Sequence, residues 1–163
     1  MSDSKKIVLV GHFGVGKSSL IRRFVMNAFS DDYKVTIGVQ ILKKEITIEG
    51  KNLTFIIWDI EGKEALEQIR PSYLLGTSGF IYVVDPTRET TYENLNSEID
   101  YLKSNFKNAA ILSVANKSDL IDIKTFEDKL KQNNLSINFY SSAKTGENVE
   151  LIFEQLGINL LLK

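Results

Sequence analysis

One stretch constrains this chain more than any other: "KKIVLVGHFGVGKSSLIRRFVM", residues 5–26. A short apolar, β-branched run, Ile7 to Val10, meets the spacing G-x-x-x-x-G-K-S and then a helical periodicity from Lys17 to Met26. Gly11, Gly14 and Gly16 let the backbone curl so that successive N–H groups point inward, a geometry suited to phosphate oxygens. The helix that starts near Lys17 aims its positive end at the same place. Lys17 can reach β- and γ-phosphates, and the Ser18 hydroxyl can ligate Mg²⁺. The candidate phosphate cradle is therefore Gly11, Phe13, Gly14, Val15, Gly16, Lys17, Ser18 and Ser19. Phe13 is the oddity, a bulky side chain where small ones are usual.

The rest of the chain alternates β-rich runs with helical patterns. Val39 to Ile48 alternates apolar and polar residues as an edge strand does, "IEGKNL" turns at Gly50, and Leu53 to Trp58 returns to make a hairpin. Phe80 to Val84, Ile111 to Val114 and Ile137 to Tyr140 are further strands. Helices are expected over Glu64 to Leu75, Tyr92 to Phe106 and Lys124 to Lys131, with a strongly amphipathic one from Glu147 to Leu162. This order predicts an α/β fold: a six-stranded, mostly parallel sheet with one antiparallel edge strand and helices on both faces. No linker or repeat divides it, so residues 1–163 are expected to form a single domain.

Composition narrows the function classes. A net charge of −1 argues against nucleic-acid binding, which needs a basic face. With no cysteine there is no disulfide, no thiolate zinc site and no residue to carry a prenyl or palmitoyl group. His12 is the lone histidine. The polar start "MSDSKK" is no signal peptide, and the expectation is a cytoplasmic protein.

In a sheet of this kind ligands bind beyond the carboxyl ends of the strands. Asp59, in "FIIWDIEGKE", is placed there to hold Mg²⁺ through water, and Gly62 can bring its N–H to a γ-phosphate. "SVANKSDL" sets Asn116, Lys117 and Asp119 directly after another strand. A carboxylate at Asp119 can accept from both the ring N1–H and the exocyclic amine of guanine. Adenine lacks that N1–H, and a buried mismatch of this kind costs several kcal/mol, on the order of thousandfold.

Together, "GHFGVGKS", "VTIGV", "WDIEGKE", "NKSD" and "SSAK" resemble a Ras-superfamily small GTPase over nearly the whole chain. "TIGV", the tryptophan before Asp59 and "SYLLGTSGFIYVVD" are most similar to the Rab branch. The resemblance implies a P-loop NTPase G domain that binds GTP and GDP with Mg²⁺. It implies that Phe29 stacks on guanine, that Tyr33 closes over the phosphates, and that Thr36 serves both Mg²⁺ and the γ-phosphate. Ser142, Ala143 and Lys144 would buttress the base, with the Ala143 N–H donating to the guanine carbonyl. Ser18, Thr36 and Asp59 would form the metal site, and Lys17, Thr36, Gly62 and position 63 the catalytic set. Two switch segments would meet effector and exchange-factor proteins, with Ile37, Val39, Ile41 and Trp58 as the apolar centre of that face. Relatives usually continue into a prenylated tail, whereas the chain stops at "NLLLK" with neither tail nor cysteine; the expectation is no direct lipid anchor, with a protein that works in the cytosol or is brought to a membrane by a partner, the alternative being a natural tail missing from this sequence. A monomer is expected.

Three positions depart from the family pattern. Lys63 stands where a Gln normally orients the attacking water, and a charged lysine cannot accept a hydrogen bond from it. Its ammonium can instead approach the γ-phosphate or point to solvent. Phe13 should obstruct an arginine arriving from an activating protein, or pack against the switch segments. Glu61 can face solvent, approach Mg²⁺ or pair with Lys63; turned toward a γ-phosphate about 4 Å away it would be repelled by roughly 4 kcal/mol at an effective dielectric of 20. The reading is a switch with slow GTP hydrolysis. Its rival is a scaffold that keeps GTP bound and does not cleave it.

Overall fold

The computed structural model describes residues 3–30, 36–63 and 65–163. Six strands form one sheet in the order β2-β3-β1-β4-β5-β6. They are β1 (Asp3–Val10), β2 (Val39–Ile48), β3 (Lys51–Ile60), β4 (Gly79–Val84), β5 (Ala110–Ala115) and β6 (Phe139–Tyr140). All neighbouring pairs run parallel except β2 and β3. That pair is the expected hairpin, closed by Glu49 and Gly50, both at positive φ (51° and 78°). The helices are α1 (Lys17–Met26), α2 (Pro71–Leu74), α3 (Leu95–Asn105), α4 (Ile123–Gln132) and α5 (Val149–Leu161).

The central strands read as unbroken apolar runs because both faces of the sheet are covered. Ile7 and Leu9 of β1 join α1 and α5 in one core, whereas Val8 and Val10 join α3 and α4 in the other. Phe24 of α1 stacks on Phe153 of α5 with ring centroids 3.9 Å apart, fixing the first layer. Tyr92 meets Phe126 edge-on at 5.3 Å and fixes the second.

Local chemistry redraws several expected elements. The helix expected over Glu64 to Leu75 is instead a 3₁₀ turn, Leu66–Gln68, followed by the single turn of α2 (Glu64 lies outside the described residues). Pro71 explains the break: it has no N–H to continue a helix and biases Arg70 away from helical ψ, observed at 122°. The helix expected from Tyr92 starts at Leu95, because a 3₁₀ turn at Glu89–Thr91 precedes it. The last strand is only Phe139–Tyr140. Helix α5 starts at Val149, after Asn148 at φ 60°. It is also less one-sided than its periodicity suggested: Val149, Ile152, Phe153, Leu156, Gly157 and Leu160 are buried, and Ile158 and Leu161 pack beside them.

Candidate functional site

The loop after β1 is defined by where its carbonyls go. Lys17 Nζ donates to Gly11 O at 3.0 Å and His12 O at 3.1 Å. Arg88 donates to Phe13 O at 2.8 Å, Lys117 to Gly14 O at 2.9 Å, and Asn116 Nδ2 to Val15 O at 3.1 Å. Gly16 O accepts from Leu20 N at 2.9 Å, the first turn of α1. With each carbonyl from Gly11 to Gly16 held, the loop is shaped to present N–H groups to the cavity of about 340 Å³ beside it. Gly11 sits at φ 147°, and a Cβ there would lie 2.3 Å from the Val83 carbonyl oxygen.

At one end of the cavity Ser18, Thr36 and Asp59 converge from α1, the segment before β2 and the end of β3. The Ser18 and Thr36 hydroxyls are 2.6 Å apart, Ser18 donates to Asp59 Oδ2, and Thr36 Oγ1 is 3.3 Å from the same oxygen. Asp59 is 2 % exposed, and its other oxygen, Oδ1, is buried with no hydrogen-bond partner among the described residues. Burial pushes the Asp59 carboxyl upward, against the pull of Ser18, Lys17, Thr36 and Arg22. Burial likewise brings the Lys17 ammonium down to about 8, opposed by Asp59. A buried carboxylate with an orphaned oxygen beside two hydroxyls is a hard-oxygen donor set that suits Mg²⁺. Among the described residues no cluster of three or more His, Cys, Asp or Glu offers a competing cage.

The other end is built from the turns after β5 and β6. Asn116, 1 % exposed, accepts from Ser141 Oγ at 3.1 Å and Ala143 N at 3.2 Å while donating to the phosphate-side loop. Lys117, at φ 61°, divides its ammonium between Gly14 O and Asp85 Oδ2 at 2.8 Å. Ser142 donates to Asp119 Oδ1 at 2.8 Å and accepts from Thr145 N at 3.1 Å, so it orients that carboxylate from behind. Phe29, Asp119, Ala143 and Lys144 line the cavity; Ser142, fully buried, does not.

A Ras family model matches residues 6–161. The chain belongs to the Ras family. Its curated relatives include Ras-related protein Rab-18 of Caenorhabditis elegans, 38% identical across 93% of this chain and 77% of the relative. Rab-11A of Dictyostelium discoideum is 38% identical, covering 93% and 73%. YPTC6 of Chlamydomonas reinhardtii is 36% identical, covering 93% and 72%. As a Rab-like member of the Ras family the chain is a GTP-binding molecular switch and a GTPase, and the six-stranded G-domain sheet is the family's fold.

The positions that set this Ras-family chain apart sit together. Glu61 and Lys63 form an ion pair at 3.5 Å, each side chain 38% exposed. Of the orientations open to Glu61, pairing is the one adopted. Neither residue lines the main cavity; both line a smaller one of about 140 Å³ with Gly38, Arg70 and Tyr73. Between them Gly62 lies against the phosphate loop, where a Cβ would come within 2.6 Å of both N and Cα of Phe13. Phe13 itself lines the main cavity and is 49% exposed.

Gly14, Gly16, Lys17, Ser18, Ser19, Thr36, Asn116 and Lys117, also expected from the sequence, all line the cavity. Gly11 and Val15 stand behind it, buried. Tyr33 lies outside the described residues. The Ala143 N–H, assigned to a guanine carbonyl by resemblance, here donates to Asn116 Oδ1. Ile37 and Ile41 are exposed, whereas Val39 and Trp58 are half-buried, with the Lys6 ammonium 3.8 Å above the Trp58 ring. Three supports went unnoticed in the sequence. Asp85 anchors Lys117, Arg88 holds Phe13 O, and Arg23 donates to Ala143 O and Lys144 O at 2.8 and 2.5 Å. Asp85 had a signal, since it ends a strand as Asp59 does; the two arginines had none.

Proposed function

We propose that this chain binds GDP and GTP at the 340 Å³ cavity with Mg²⁺ and cleaves GTP slowly. In this reading the loop N–H groups and Lys17 bind the phosphates, and Asp119 selects guanine with Ser142 holding its carboxylate in place. Ser18, Thr36 and Asp59 hold the metal. The metal these three residues would hold would supply positive charge to offset the charge that develops on the phosphate oxygens. Thr36 and Gly62 supply groups that sense a γ-phosphate, which makes the segments around them the switches.

The observation that carries slow cleavage is the Glu61–Lys63 pair. A charged lysine accepts no hydrogen bond, so it cannot orient an attacking water as a glutamine carbonyl does. Its ammonium is also occupied by Glu61 and so is not committed to a phosphate. Effectors and exchange factors would meet the exposed Ile37 and Ile41 and the Glu61–Tyr73 segment. No residue here is a cysteine that could carry a thioether or thioester lipid, so we propose no anchor of that kind within these residues.

Calorimetric titration of the nucleotide-free protein with GDP, GTP and ADP, with and without Mg²⁺, tests the binding reading. Guanine nucleotides should bind tightly, more so with Mg²⁺, and ADP at least about a hundredfold more weakly. Equal affinity for ADP and GDP would refute it.

A further inference from the structure

The partners of the loop carbonyls come from elements with obvious reasons to be there, except one. Lys17 belongs to the loop's own helix, and Asn116 and Lys117 belong to the base-side turn. Arg88 comes from the turn between β4 and α3, and it reaches Phe13 O at 2.8 Å from an exposed position.

That turn is well braced. Asp85 N donates to Thr91 Oγ1 at 2.9 Å, and Thr91 Oγ1 in turn donates to Arg88 O at 2.7 Å or Asp85 O at 2.9 Å. Thr91 is 1 % exposed. Arg88 N donates to Asp85 O at 3.0 Å, and Asp85 Oδ1 receives Thr87 N at 2.9 Å. Asp85 Oδ2 meanwhile receives the Lys117 ammonium, whose other bond goes to Gly14 O. One turn therefore supports two successive loop carbonyls, Phe13 O directly and Gly14 O through Lys117.

A planar trans peptide sets its C=O and N–H in opposite directions. Fixing Phe13 O toward Arg88 therefore turns the Gly14 N–H away from it, toward the cavity that Gly14 lines. We propose that Arg88 is a positioning residue for nucleotide binding: it holds the Phe13–Gly14 peptide in its phosphate-binding orientation and so slows nucleotide release. The idea rests on the nucleotide reading above.

The test is release of a fluorescent GDP analogue from the Mg²⁺-loaded protein, followed by competition with excess GDP, together with ³¹P NMR of bound GDP. Arg88→Ala should release nucleotide roughly three- to tenfold faster, the net worth of one ordinary hydrogen bond, since exposure to solvent offsets the gain from the donor's charge. The bound β-phosphate resonance should move, and the thermal midpoint of the nucleotide-free protein should not. Arg88→Lys should recover most of the wild-type rate, since an ammonium can reach the same carbonyl. If Arg88→Ala does not fold, Arg88→Gln takes its place and should give an intermediate rate. Wild-type release rates and an unmoved β-phosphate resonance would overturn the proposal, as would faster release matched by loss of nucleotide-free stability. A wild-type protein that takes up no GDP would overturn the nucleotide reading and this inference together, whereas binding with unchanged release in the variant overturns only the role of Arg88.

Discussion

The Lys63 ammonium lies 3.5 Å from the Glu61 carboxylate, across the glycine that packs on the phosphate loop. Both side chains are 38% exposed, so the pair contributes about 0–1 kcal/mol to stability. Its consequence is functional. Glu61→Gln should leave the thermal midpoint nearly unchanged, free Lys63 from the pair and remove a negative charge beside Gly62, the residue proposed to sense a γ-phosphate. Competitive titration should show the ratio of GTP to GDP affinity rising several-fold, and an unchanged ratio would place Glu61 too far away to matter.

Lys17 gives the nucleotide-free protein a pH signature. Its folded-state value, about 8, lies below the ordinary 10.5, so below pH 8 burial of the charged amine costs on the order of 3 kcal/mol. Between about 8 and 10.5 the folded state binds fewer protons than the unfolded state, and this group's contribution to stability rises with pH. Urea unfolding of nucleotide-free Lys17→Met at pH 7 should therefore show no loss of stability, and the wild type should gain on it as pH rises through that window. The same variant should lose nucleotide binding. A wild type that loses ground to the variant over this range would contradict the burial account.

Asp59 has a buried oxygen with no partner among the described residues, and two hydroxyls meet its other oxygen. Chelating Mg²⁺ should weaken GDP binding to the wild type by at least about tenfold, or ~1.4 kcal/mol. Asp59→Asn should bind GDP near that weakened level whether or not Mg²⁺ is present. Full Mg²⁺ dependence in the variant would remove Asp59 from the metal site.

Much of this site was legible because its pattern is imposed by backbone. The Gly11–Ser18 spacing, Asp59 at the end of β3 and Asn116–Asp119 after β5 follow from strands that deliver residues to one edge of the sheet. The supports were harder to see. Arg88 and Arg23 reach backbone carbonyls across long sequence separations, and a carbonyl leaves no trace in residue type. The Glu61–Lys63 pair is one of four orientations open to Glu61, since residues two apart in an irregular segment have no fixed relation. Periodicity overran at Glu64–Leu75 because apolar spacing persisted through Pro71, whose missing N–H ends what the spacing suggests. Tyr92 likewise fits the rhythm of α3 yet precedes it, its ring anchored on Phe126.

Asp119 is held by Ser142 at 2.8 Å, which is itself fully buried. Asp119→Ala should weaken GDP by on the order of a hundredfold, leaving two guanine donors unmatched. Ser142→Ala should weaken it by a smaller factor, about three- to tenfold, because the carboxylate remains but loses its orienting bond. Equal losses in the two variants would argue that Ser142 acts through the fold of its loop.

Single-turnover phosphate release from GTP-loaded protein with Mg²⁺, wild type beside Lys63→Gln, tests the central claim most directly. The wild type should release phosphate slowly and the variant at least about tenfold faster, because it regains an acceptor for the attacking water. Equal rates in the two proteins would contradict it.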